Sequence, residues 1–145
     1  MALKRMHNTG IVFEDLDAAV AFFVELGMEL EGRMQVEGPW VDQTVGLDDV
    51  RSEIAMLRTP DGDGRLELAR YRHPEAIAGP PDQPHNTVGM YRVMFEVDDL
   101  DDTLARLAKH GAELVREVAQ YEDILRICYV RGPEGILVGL SEQLN

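Results

Sequence analysis

A single cysteine, four histidines and one tryptophan stand in the 145-residue chain, and Lys and Arg (14) are outnumbered by Asp and Glu (27). Each scarcity removes a class of explanation. Cys128 has no second thiol to pair with, so neither an intramolecular disulfide nor a thiolate zinc cluster can be built. It lies in the apolar stretch Ile127-Cys128-Tyr129-Val130 with no activating base beside it in sequence, and it reads as a buried small hydrophobe rather than a nucleophile. The formal charge of −13 argues against nucleic acid, whose phosphates need a basic face, and against anionic membranes. Solubility is the plain reading of that acidity. Lys4 and Arg5 precede no apolar run with a cleavage site, and no segment approaches the ~20 apolar residues that span a bilayer. A cytoplasmic protein is expected.

What is present is a globular composition, 45% hydrophobic and 28% charged, in one domain long enough to bury a core. Within it the sequence repeats. Placing Asp15-Leu16-Asp17 on Asp99-Leu100-Asp101 sets an offset of 84 residues, which also superposes Gly27 on Gly111, Glu29 on Glu113 and Leu30 on Leu114 without a gap. Each copy opens with an alternating strand (Thr9, Ile11, Phe13; then Val93, Phe95, Val97). Asp15 and Asp99 follow as helix N-caps, with more acid in the first turn. The helices carry apolar stripes, Leu16, Val20, Phe23 and Leu26 in one and Leu100, Leu104 and Leu107 in the other, and Gly27 and Gly111 are expected to end them.

Further strands are expected near 28–36, 52–58, 65–71, 113–118, 126–131 and 136–141, with turns at 59–64 and 132–135. Residues 72–87, rich in Pro and polar side chains, read as a linker or covering loop between a first module at about 4–71 and a second at about 88–142. The expected fold is α+β, two tandem βαβββ modules in one domain. A module this small covers its own sheet poorly, so a homodimer is expected as well.

This order, the Val-Asp-Asp-Leu-Asp entry to the second helix and the Gly-Pro-Glu-Gly turn before the last apolar strand resemble the vicinal oxygen chelate superfamily of glyoxalases, bleomycin resistance proteins and extradiol dioxygenases. The resemblance covers essentially the whole chain. It implies mixed sheets curled into a cup, and a divalent metal held by side chains of the first and last strands of each module. The family's first-strand His stands seven residues before the Asp of the helix entry, which is Asn8 here, and Arg92 in the second module. Its last-strand carboxylate falls on Glu67 in Leu66-Glu67-Leu68 and on Gly139 in Val138-Gly139-Leu140.

The implied quartet therefore reads Asn8, Glu67, Arg92 and Gly139, in which only Glu67 is a good metal ligand. A guanidinium offers no lone pair, and glycine offers no side chain. No cofactor is expected. If a divalent metal does bind, Glu67 with Asn8 or His7 would hold it, although alternation turns His7 away from the cup. Strand phase places Met94 and Glu96 beside Arg92, and Arg65, Ala69 and Tyr71 beside Glu67. Trp40, in the loop 38–43, is read either as a lid over a ligand or as a packing anchor. Tyr121, Glu122 and Asp123 read as a solvated turn. His73 and His85 fall in the linker, and His110 at a helix end.

Three functions follow from the resemblance. The first is a metal-independent isomerase or lyase acting on a small oxygenated molecule, with Glu67 as base and Arg92 as anion recogniser. The second is a sequestration protein of the bleomycin-resistance kind. The third is a metal-dependent glyoxalase, epimerase or dioxygenase.

Overall fold

The computed structural model describes residues 2–145, and the chain divides into two compact units, one ending at Ile77 and the other running Ala78–Asn145. The first contains β1 (Thr9–Val12), α1 (Leu16–Leu26), β2 (Glu29–Glu37), α2 (Pro39–Val45), β3 (Arg51–Arg58) and β4 (Arg65–His73). Its sheet has the order β1-β4-β3-β2, with β1 parallel to β4 and the remaining pairs antiparallel. The second contains β5 (Arg92–Glu96), α3 (Leu100–Ala108), β6 (Glu113–Leu114), β7 (Ala119–Tyr121), β8 (Leu125–Arg131) and β9 (Leu137–Gln143). Here the order is β5-β9-β8-β6, with β7 also on β8, and β5 is parallel to β9. The fold is α+β, as expected, with one mixed sheet in each unit.

Local chemistry sets the helix ends. The Asp15 carboxylate accepts from the Ala18 amide at 3.0 Å, and the Asp99 carboxylate from the Asp102 amide at 3.0 Å, so each N-terminus satisfies one otherwise orphaned donor. Gly27, at φ 128°, closes α1 by donating its N–H to the Phe23 and Val24 carbonyls. The second helix departs from the expectation: α3 stops at Ala108, and a tight turn carries the chain on to Gly111 at φ 82°.

Cross-strand register and ion pairs identify the two faces of each sheet. In the first unit Arg33 reaches Asp17 on α1 at 2.7 Å. Its partners in register are Ala55, then Leu68, then Ile11, so that set faces the helix. Phe22 and Phe23 of α1, with Ala55, Leu57 and Leu68 of the sheet, are fully buried, and each large side chain contributes about 1.5–3 kcal/mol. The alternate set, Gly10, Glu67, Met56 and Gly32, faces the other way. In the second unit the Leu100 amide donates to the Glu142 carboxylate at 2.7 Å, and Arg126 pairs with Asp101 at 3.0 Å. Val138, Leu140, Cys128 and Val130, in phase with Glu142, therefore lie on the helix side, leaving Gly139, Tyr129 and Arg131 on the helix-free face. Burial of Cys128 raises its thiol above the usual range, which suits an inert packing residue.

Three expectations are corrected. Residues 38–43 are not a loop: Pro39 at the first helical position starts α2, which ends at Gly46 in the left-handed conformation. The strand expected over 113–118 is confined to β6 at Glu113–Leu114, and β7 follows beyond it at Ala119–Tyr121, both paired with β8. Tyr121 is the last residue of β7, so the turn begins at Glu122 with φ 49°. Among the described residues no helix is long and apolar enough to cross a membrane.

Candidate functional site

On the helix-free face of the first sheet, Glu67 stands at the centre of β4 with Gly10 of β1 on one side and Met56 of β3 on the other. A Cβ at Gly10 would meet nothing within 4 Å, so the carboxylate has clearance towards β1. Asn8, two residues before Gly10, donates an amide N–H to Glu67 Oε2 at 3.4 Å. The same amide nitrogen lies 2.9 Å from His7 Nδ1, so its two hydrogens serve a carboxylate and an imidazole. The expected neighbours Asn8 and Glu67 are thus brought together, and exposed His7 joins them through Asn8.

Arginines on the same face are committed elsewhere. Arg65 forks onto Glu31, with Nε to Oε1 at 3.1 Å and Nη2 to Oε2 at 3.2 Å, and Arg58 pairs with Glu29 at 3.0 Å. Glu67, half-buried, has no ion-pair partner in its own unit among the described residues. Next to it lies a hollow of about 340 Å³ lined by Glu31, Gly32, Arg33, Met34, Ile54, Met56 and Arg65. Met56 is therefore both the neighbour of Glu67 in register and a wall of the hollow. Gly32 opens it further, because no atom lies within 4 Å of where its Cβ would be. Sequence reading passed over Met34, Ile54 and Met56. Ile54 and Met56 alternate with Ala55 and Leu57, so both faces of β3 are apolar and polarity does not distinguish them.

Tyr71 continues the phase of Glu67 along β4, where it is half-buried and opposite Ser52. Trp40 is 64% exposed on α2 whereas Val41 is 4% exposed, so Val41 is the residue that anchors this segment.

In the second unit the parallel register sets Met94 against Gly139, as Gly10 is set against Glu67. The carboxylate position is occupied differently there. A Cβ at Gly139 would come 2.9 Å from the Tyr129 ring and 3.1 Å from two atoms of Met94, so those side chains already fill the space. Arg92, Met94 and Glu96 follow one another on the exposed phase of β5. Within its unit Arg92 has no ion pair or side-chain hydrogen bond among the described residues.

The resemblance implies a divalent metal, and the donors do not fit one. Among the described residues no group of three His, Cys, Asp or Glu side chains converges. Asn8 turns its amide N–H groups to its neighbours, the Gly139 position is packed, and Arg92 is a cation.

Comparison with known proteins agrees with this architecture. A glyoxalase family protein from Bacillus cereus is 52% identical, and its crystal structure superposes with a TM-score of 0.96 over 100% of this chain and 97% of that one. The uncharacterized protein YaeR of Escherichia coli (strain K12) is 25% identical over 99% of both chains. Trypanothione-dependent glyoxalase I of Leishmania major, at 20% identity, shares the fold, with a TM-score of 0.66 over 97% of this chain and 87% of its own. The family model described as glyoxalase/bleomycin resistance protein/dioxygenase superfamily matches residues 7–129, and the chain belongs to that superfamily.

Proposed function

We propose that the protein converts a small oxygenated molecule by moving a proton without a metal, Glu67 acting as the base and Arg92 receiving the negative charge that develops on oxygen. The observation that carries this reading is the state of Glu67: Glu29 and Glu31 on its face are each neutralised by an arginine, and Glu67 is held only by a neutral amide. A carboxylate so placed, with clearance over Gly10, is available to take a proton beside a carbonyl. Arg92, without a partner in its unit, offers a donor fork to an enolate or carboxylate oxygen. Substrate-positioning roles go to Asn8, Tyr71, Met94, Glu96 and Trp40. The test is deuterium uptake from D2O into a panel of 2-oxo and 2-hydroxy acids and their thioesters, followed by NMR. Uptake is expected to fall about 10²–10⁴-fold in Glu67→Gln, and Arg92→Ala is expected to lower kcat/KM. Unchanged uptake in Glu67→Gln would reject the assignment.

A second reading is sequestration of a flat or cationic guest, and the Met34, Ile54 and Met56 floor of the hollow favours it. Under that reading a ligand binds, Glu67→Gln weakens affinity alone, and no product forms. A homodimer fits both readings, since Val12 is 54% and Met34 59% exposed on the first sheet. Light scattering on the eluting protein measures it. A cytoplasmic setting suits a chain with one buried thiol and no disulfide.

A further inference from the structure

The helix-free face of the second sheet is covered by its own chain at Tyr129 and Arg131, while Arg92 and Met94 of β5 stay exposed. Arg131 of β8, on that face with Tyr129 and Gly139, donates Nη2–H to the Gln83 carbonyl at 2.6 Å and Nη1–H to the Gly135 carbonyl at 3.0 Å. Two residues on, the His85 ring meets the Tyr129 ring edge to face, with centroids 4.2 Å apart. On the other side of Gln83, the Pro81 carbonyl occupies the place where a side chain at Gly135 would begin, and Gly135 adopts φ +86°. After His85 the chain turns sharply, the Thr87 amide and hydroxyl both donating to the Pro84 carbonyl at 3.0 and 2.8 Å.

We propose that Pro81–His85 is a latched strap that shuts the Tyr129–Arg131 part of the second sheet's helix-free face in the free chain, with Arg131 as the latch and Gly135 as the seat. The contacts have the form of ligand recognition: a carbonyl oxygen on a guanidinium and one aromatic ring against another. The strap is a separable layer because its contacts are few and concentrated. One charged side chain holds it at Gln83, one ring pair at His85 and one glycine at Pro81, and its residues are largely exposed. Its connection to β5 keeps it close, so a molecule reaching Tyr129 and Gly139 must compete with a tethered occupant at high effective concentration. The strap lies on the same face as Arg92 and Met94, and its contacts involve neither of them nor Glu67.

Tyrosine nitration by tetranitromethane, mapped by mass spectrometry, reads the strap directly. Tyr121, 60% exposed, is the internal standard for a free ring, and buried Cys128, on the opposite face of the same strand as Tyr129, reports any opening of the core. Tyr129 is expected to react far more slowly than Tyr121 in the native chain. Arg131→Met keeps the stem and removes the donors, and Gly135→Ala drives the Pro81 carbonyl out of its seat. Each is expected to accelerate Tyr129 nitration about tenfold or more, as loss of one charge-assisted hydrogen bond would allow, with Cys128 still unreactive towards a thiol reagent in a parallel sample. His85→Ala, which leaves the sheet untouched, should give a smaller acceleration in the same direction. Tyr129 reacting as fast as Tyr121 in the native chain would overturn the proposal. So would variants in which Cys128 and Tyr129 become reactive together, because the segment would then be part of the core and not a strap over it.

Discussion

The two units follow many of the same local rules, and one pair of positions sets their helix-free faces apart. In the first, the middle of the leading strand is Gly10 and its neighbour in register on the last strand is Glu67. In the second the small and large residues change places, Met94 standing beside Gly139. The exchange keeps both sheets intact, because neither position contributes to the helix-side core. It changes what the helix-free face can do. One face presents a carboxylate with clear space and an amide donor; the other presents a thioether and a phenol ring packed over a bare backbone. Duplicated scaffolds can thus be specialised by reassigning side-chain volume across one parallel strand pair, with packing on the far side unaffected.

The difference is open to direct attack, and the largest effect is expected at the two acids. Glu67→Gln should reduce kcat about 10²–10⁴-fold, while Glu96→Gln on β5, given a substrate-positioning role only, should act chiefly on KM, as steady-state kinetics would show. Equal losses in the two variants would erase the proposed asymmetry. Next comes the glycine pair. Gly139→Glu, which would restore a carboxylate to the second unit, meets Tyr129 and Met94 and should lower the unfolding free energy by about 1–3 kcal/mol in urea denaturation. Gly10→Ala enters empty space and should stay within about 0.5 kcal/mol of the native chain. The smallest effect concerns the helix side of the second sheet. A side-chain hydrogen bond from Arg126 holds the Asp101 carboxyl below the usual range. A depressed carboxylate contributes stability above its unfolded-state pKa and loses it as pH falls through the folded-state value. Arg126→Gln should therefore flatten the acid limb of the stability profile, and only slightly, because Asp101 is exposed.

How much of this was legible in the sequence follows from which interactions are local. Helix starts at Asp15 and Asp99 and the strand phases around Thr9 and Val93 depend on neighbours a few residues away, and they are where the repeat places them. The 84-residue offset also pairs Gly10 with Met94, and the observed registers give these two residues equivalent partners in Glu67 and Gly139. Other features were hidden. The irregularity between Leu30 and Gly32 that lets Glu31 reach Arg65 arises from pairing with β3, which no local pattern announces. Helix α2 was masked by Gly38-Pro39, a pair that reads as a turn yet here supplies a helix start. The hollow beside Met56 depends on three strands lying side by side. The strap depends on Arg131 finding a carbonyl 48 residues earlier in the chain.

On the proposed reading, the first unit's face works through the Glu67 carboxylate and not through a bound metal. The most direct test is the rate of deuterium uptake into a responsive substrate by protein dialysed against a chelator, with metal content measured on the same sample. Glu67→Gln is run beside it, and Zn, Ni, Mn and Fe salts are then added back. Metal-free proton transfer by Glu67 predicts full activity in the stripped protein, no gain on adding any metal, and loss in Glu67→Gln. Activity that disappears on stripping and returns with one metal would contradict it.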